Sequence, residues 1–118
     1  MSNLDNDFAE LVKILNRKLG GNGEKLHIEQ YGKRPERQYS LYAPLNFAWA
    51  SKKTRLNQLN IGTKQKWADK AGIKDYIPKS NSQYNGPGAH WVIPAGDINK
   101  IQVVASYLAR ICQARHSS

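Results

Sequence analysis

Two amphipathic segments bracket the chain, and they restrict what it can fold into more than any other feature. In "LDNDFAELVKILNRKLGG", Phe8, Leu11, Val12, Leu15 and Leu19 recur at helical spacing. Near the other end, Ile98, Ile101, Val104, Ala105, Leu108, Ile111 and Cys112 form a second stripe of the same period. The segments between them alternate with period two, which is the mark of half-buried strands. Short turns between those strands imply antiparallel pairing. Two long helices joined through such a sheet can hide their stripes only against one of its faces. The expected architecture is therefore a two-layer α+β sandwich, with both terminal helices on one side of a mainly antiparallel sheet. Residues 1–118 are read as a single domain, without internal repeats or a linker.

The local signals divide the chain further. Asp5 or Asn6 is expected to cap the first helix, with Gly20 and Gly21 as its stop. In "EKLHIEQYG", Leu26 and Ile28 face one way and His27, Glu29 and Tyr31 the other. "KRPER" reads as a charged turn. A strand then places Tyr39, Leu41 and Ala43 opposite Ser40 and Tyr42. After a bend at Pro44, Phe47 and Trp49 are expected to share a face. "KKTR" turns the chain into the strand of Leu59 and Ile61. "TKQKWADKAG" reads as a short helix, with Thr63 as cap and Gly72 as stop. Residues 73–88 read as a long polar loop, partly ordered, carrying Tyr76, Ile77 and Tyr84. "AHWVIP" is a strand, and Asp97 caps the last helix. The expected core is Phe8, Leu11, Leu15, Leu41, Phe47, Ile61, Val104, Leu108 and Ile111.

The run "YSLYAPLNFAWASKKTRLNQLNIG" followed by "GAHWVIPAGDINKIQVVASYLARI" resembles a small domain family of unknown function. Its members carry a tyrosine strand, an Asn-Phe-Ala strand, a lysine-rich turn, a leucine strand and a final strand–Asp–helix unit. The domain occurs alone or attached to predicted DNA-transport and nuclease proteins. The similarity covers residues 38–112. It implies an α+β fold and a DNA-linked context, and it carries no catalytic residues. The insertion "KAGIKDYIPKSNSQYNGPG" departs from the family pattern.

Charge is distributed unevenly. Residues 1–32 hold four basic and five acidic side chains, a net of −1. Residues 33–80 hold eleven basic and three acidic, a net of +8, and residues 81–118 add +2 to reach the chain total of +9. A basic block of this kind attracts polyanions and speeds their encounter.

Catalytic patterns are sparse. Outside the first helix the acids are Glu24, Glu29, Glu36, Asp69, Asp75 and Asp97, and none forms the Asp…Glu-x-Lys arrangement of a metal-dependent nuclease. The single cysteine, Cys112, excludes an internal disulfide and a zinc site built from four cysteines. "NGPG" lacks the Lys-Ser/Thr of a P-loop and reads as a turn. No metal or other cofactor is expected. A metal-free nuclease using His27 or His90 with Lys and Tyr is the catalytic alternative. Nothing after Met1 looks like a signal peptide, and no window is apolar enough to span a membrane, so a cytoplasmic setting is expected.

Binding is the stronger reading. Arg34, Arg37, Lys52, Lys53, Arg55, Lys64 and Lys66 are candidates to contact phosphates around the strand turns, joined by Lys74 and Lys79 from the loop. Tyr42 and Tyr84 are the candidate stacking rings. Trp49 and Trp67 are explained at least as well by packing. The expected function is non-catalytic nucleic-acid binding through phosphate-backbone contacts, with DNA favoured over RNA. A small inhibitor-like protein of phage or defence type, binding an acidic protein, is the alternative of a different class. An antiparallel edge strand offers a route to a homodimer.

Overall fold

The alternating segments form one antiparallel sheet, and the helical stripes close over one of its faces. The computed structural model of the chain describes residues 3–31, 37–82 and 86–116. In chain order these form α1 (Asn3–Gly20), β1 (His27–Tyr31), β2 (Arg37–Tyr42), β3 (Asn46–Lys53), β4 (Gln58–Lys64), α2 (Gln65–Lys70), β5 (Ile77–Ser82), β6 (Gly86–Pro94) and α3 (Ile98–His116). Among the described residues the sheet has six strands in the order β1-β2-β3-β4-β6-β5, with every neighbouring pair antiparallel.

The register explains which residues are buried. Tyr39 pairs with Ala50, Ala50 with Ile61, and Ile61 with Trp91, so one row of side chains crosses four strands on the helix side. Leu59 pairs with Ile93 in the next row. All of these are buried, together with Leu4, Phe8, Leu11, Leu15 and Leu19 of α1 and Ile101, Val104, Ala105, Leu108, Ile111 and Cys112 of α3. Phe8 stacks on Tyr39 with centroids 4.5 Å apart. Each of the nine expected core residues is buried.

The last turn of α3 fastens the corner between β2 and β3. The Arg115 Nε–H donates to the Asn46 carbonyl at 3.2 Å, and the Cys112 thiol and the His116 ring both meet the Ala43 carbonyl. Burial and the nearby Glu24 carboxylate push the Cys112 thiol up to about 11. Asp97 caps α3 as expected, its Oδ1 accepting the Lys100 N–H at 3.0 Å.

Five local expectations are corrected. α1 begins at Asn3, before Asp5 and Asn6, and Asp7 is buried inside it, accepting the Gly96 N–H at 2.8 Å. The helix ends at Gly20 as expected, but the left-handed residue that closes the turn is Gly23 (φ 78°) rather than Gly20 or Gly21, with the Asn22 and Glu24 amides both donating to the Leu19 carbonyl. Thr63 belongs to β4, where its hydroxyl donates to the Phe47 carbonyl at 2.7 Å; α2 has no side-chain cap, although Gly72 (φ 75°) does stop it. Phe47 and Trp49 have different surroundings because the register slips between Leu41 and Tyr42: Tyr42 faces Asn46 while Leu41 faces Ala48. Phe47 is the inserted residue and is fully buried, whereas Trp49 is half-buried. Finally, much of the expected loop of residues 73–88 is the hairpin of β5 and β6. Its approach is pinned by Trp91 Nε1 donating to the Asp75 carbonyl, Tyr107 donating to the Asp75 carboxylate and Tyr76 donating to Asp69.

Leu108 is fully enclosed between the helix and the sheet. Leu108→Ala is expected to destabilise the domain by about 2–5 kcal/mol, the usual cost of such a truncation. Urea unfolding of the two proteins side by side measures it.

Candidate nucleic-acid interface

Because period two sends successive side chains to opposite faces, the two lysines that end β3 part company. Lys52 pairs with Leu59 and points to the helix side. Its ammonium donates to Asp5 Oδ1 at 2.8 Å and lies 5.2 Å from the Phe8 ring centroid and 5.0 Å from that of Tyr39. Its side chain is 12% exposed. Burial alone pulls the Lys52 pKa down, but the hydrogen bonds and charge of Asp5 and Tyr39 outweigh it and hold the ammonium above its usual range. Lys52 is thus a structural cation rather than part of the expected basic surface.

Lys53 points the other way, to the face that neither long helix covers. By register that open face also carries Glu29 and Tyr31 of β1, Gln38 and Ser40 of β2, Trp49 and Ser51 of β3, Asn60 and Gly62 of β4, His90 of β6, and Ile77 and Lys79 of β5. Its centre is a groove of about 130 Å³. Tyr31 and Trp49 bring aromatic rings to it, and Lys53 and Lys79 bring cations. Ser51, Asn60, Gln38 and His90 supply polar groups. None of its described lining residues is acidic.

A second hollow, of about 470 Å³, lies beside it and is lined by Lys64, Gln65, Lys66, Asp69, Gly86 and Pro87. The two are joined through one row of the sheet. Lys64 pairs with Gly88, and Gly88 pairs with Lys79, so only a glycine separates the two lysines across the strands.

The aromatic residues divide into supports and walls. Trp67 stacks nearly parallel on Trp49, with centroids 6.0 Å apart and planes at 7°. The Arg115 guanidinium lies 4.3 Å from the Trp67 centroid and the Lys64 ammonium 5.2 Å from it. Trp67 is therefore occupied in packing, and it braces Trp49. Tyr31 is 39% exposed at the rim, and burial raises its hydroxyl pKa, countered in part by a hydrogen bond with Ser40. Tyr42 lies on the open face but outside the groove, tilted against His27 with centroids 5.9 Å apart.

The expected phosphate ligands separate in the same way. The structure brings Lys53 and Lys79 to the groove and Lys64 and Lys66 to the adjoining hollow. Arg55 is exposed at the tip of the β3–β4 turn, which Asn57 closes at φ 53°, and Lys74 is exposed before β5. Arg34 and Tyr84 lie outside the described residues, as does the Arg37 side chain, whose backbone opens β2. Sequence reasoning missed Ser51, Asn60 and Gln38. The signal was present in the alternation of "NFAWASKK" and "NQLNIG", whose polar positions share one face.

Of the two histidines that the catalytic alternative offers, His90 lines the groove together with Tyr31, Lys53 and Lys79, whereas His27 lies apart from it. The two histidines belong to β1 and β6, four strand spacings apart and hence about 19 Å across the sheet. His27 instead pairs with Glu29 at 3.2 Å on an exposed edge. Among the described residues, no group of three His, Cys, Asp or Glu side chains is placed to hold a metal ion. No helix among them is long and apolar enough to cross a membrane. The chain matches no family model, no curated protein and no solved structure.

Two outcomes follow from this geometry. Lys52→Ala is expected to lower stability by about 1–2 kcal/mol, from the lost ion pair and ring contacts, and to leave the open face unchanged. Lys53→Ala should lower the melting midpoint less than Lys52→Ala does. Thermal melts of both variants check the assignment of faces. The second outcome concerns His90, whose pKa is lowered first by burial and then by Lys79. The folded protein thus binds this proton less readily than the unfolded chain. Its contribution to stability is complete above the unfolded value of about 6.5 and is lost as pH falls below it, levelling off beneath the folded pKa. Comparing the pH dependence of unfolding for the parent and His90→Gln isolates that component.

Proposed function

We propose that this protein binds nucleic acid on the open face of its sheet. The observation that carries the reading is a set of lysines beside an aromatic surface that neither long helix covers: Lys53 and Lys79 at the groove, Lys64 and Lys66 in the hollow next to it, where Asp69 is the one acid among the described lining residues. Such a face combines the two elements that hold a polynucleotide, cations for the phosphates and rings for the bases. The absence of acidic residues from the described groove lining favours a polyanion over a cationic ligand. The basic excess of residues 33–80 supplies long-range attraction of the same sign.

In this reading Lys53, Lys64, Lys66 and Lys79 take phosphates, with Arg55 and Lys74 reaching the strand as it leaves the face. Lys52 takes no part, being held by Asp5. DNA is the polymer that the sequence resemblance of residues 38–112, matched by no family model, would imply. No group on the open face is assigned a catalytic role.

The test is a salt titration of a fluorescent oligonucleotide. Replacing Lys53, Lys64 and Lys79 together with Ala is expected to weaken binding and to flatten the dependence on log salt by about one unit of slope per lost contact. Lys52→Ala is the control and should keep the parent slope. Unchanged affinity and slope in the triple variant would remove the open face from the interface. Recovery of an acidic protein in place of any nucleic-acid affinity would overturn the reading.

A further inference from the structure

The geometry points to a narrower specificity: the groove between Tyr31 and Trp49 takes one unpaired base, so the protein binds single strands in preference to duplex. This rests on the nucleic-acid reading above and adds what the floor of the groove demands.

Phosphate binding alone accounts for the lysines, but it does not account for Ser51. Its Oγ is buried in the groove and has no hydrogen-bond partner among the described residues. Buried polar atoms are nearly always paired, and one that is not calls for an explanation, which a ligand seated in the groove would supply. A hydroxyl can donate or accept, so it suits the mixed edge of a base. Beside it, Gln58 Nε2 donates to Asn60 Oδ1 at 2.8 Å. That bond uses the Asn60 oxygen as an acceptor and leaves its amide nitrogen as the donor for a ligand. His90 completes the polar set. Burial and the charge of Lys79 favour its neutral ring, which can hydrogen-bond to a base without adding a charge for phosphate.

The walls fit the same ligand. Tyr31 and Trp49 both line the groove, and Trp49 is braced by its stack on Trp67. A braced ring loses little freedom when a base stacks on it. Lys53 and Lys79 line the same groove and can take the phosphates on either side of the bound nucleotide. In a duplex each base is stacked and paired within the helix, out of reach of such a floor. A single strand can turn one base into it, which is how sheet surfaces commonly read unpaired nucleotides.

The experiment uses the full chain and three labelled probes of equal length: a mixed-sequence single strand, its duplex, and the single strand with a run of abasic sites at its centre. Base capture predicts that the intact single strand binds more tightly than both of the others, by about tenfold over the abasic strand, as expected for losing a stacked base. Ser51→Val, shown folded by its melting curve, should reduce binding of the intact strand toward the abasic level and leave duplex binding unchanged. Equal affinity for all three probes would overturn the inference and leave phosphate binding on this face intact. No affinity for any probe would instead overturn the nucleic-acid reading itself. The abasic comparison is made on the parent protein, so it decides the matter even where Ser51→Val fails to fold.

Discussion

The structure depends on how two helical stripes share one side of a sheet. α1 and α3 each present a row of apolar residues, and neither row has another surface to cover it. Both therefore pack on the face made by Tyr39, Leu41, Ala50, Leu59, Ile61, Trp91 and Ile93. Burial of that much apolar surface is the dominant favourable term in folding a domain of this size. The opposite face of the sheet then remains without a helical layer, and antiparallel sheets tolerate such one-sided exposure. The surface assigned to binding is thus a direct consequence of where the core forms.

The same constraint sorts the charges. A strand that buries one face must send alternate residues to the other, so adjacent lysines in β3 acquire different work. Lys52 extends over the Phe8 and Tyr39 rings to Asp5 and ties the sheet to α1. Lys53, one residue on, lines the groove. Local positive charge in the sequence is therefore a poor guide to a binding surface when it falls within a strand. The supports behind the open face follow a related logic. Arg115, from the last turn of α3, reaches both the Asn46 carbonyl and the Trp67 ring, so the helix that closes the core also steadies the aromatic stack that ends at Trp49.

The groove differs from a simple basic patch in its floor. Lysines at a rim are tolerant of what they hold, because phosphate contacts carry no base information. Buried hydroxyl and amide groups are not tolerant, since each needs a partner of matching polarity. Ser51 and His90 bring buried polar atoms to the groove and Asn60 a half-buried amide, where the apolar alternatives Val or Ile would suit a strand equally well on propensity alone. Their presence in one groove with Tyr31 and Trp49 is what the proposed base site rests on.

By itself, the sequence determined the two-layer architecture, the antiparallel pairing, the helix stripes and the whole of the expected core. These follow from periodicity, which is local and repeats often enough to be read without a partner. Asp97 as a cap and Gly72 as a stop were legible for the same reason: each acts within a few residues of its own position. Tertiary structure alone decided the rest. The slip between Leu41 and Tyr42 that moves Phe47 into the core, and the left-handed turn at Gly23 rather than Gly20 or Gly21, depend on neighbours that local pattern does not name. The hairpin of β5 and β6 was hidden because Ser, Asn and Gly have low strand propensity, and its stability comes from pairing along β6. Which lysines meet at the groove was decided by register across strands that lie far apart in the chain, and a one-residue shift would have exchanged Lys52 for Lys53.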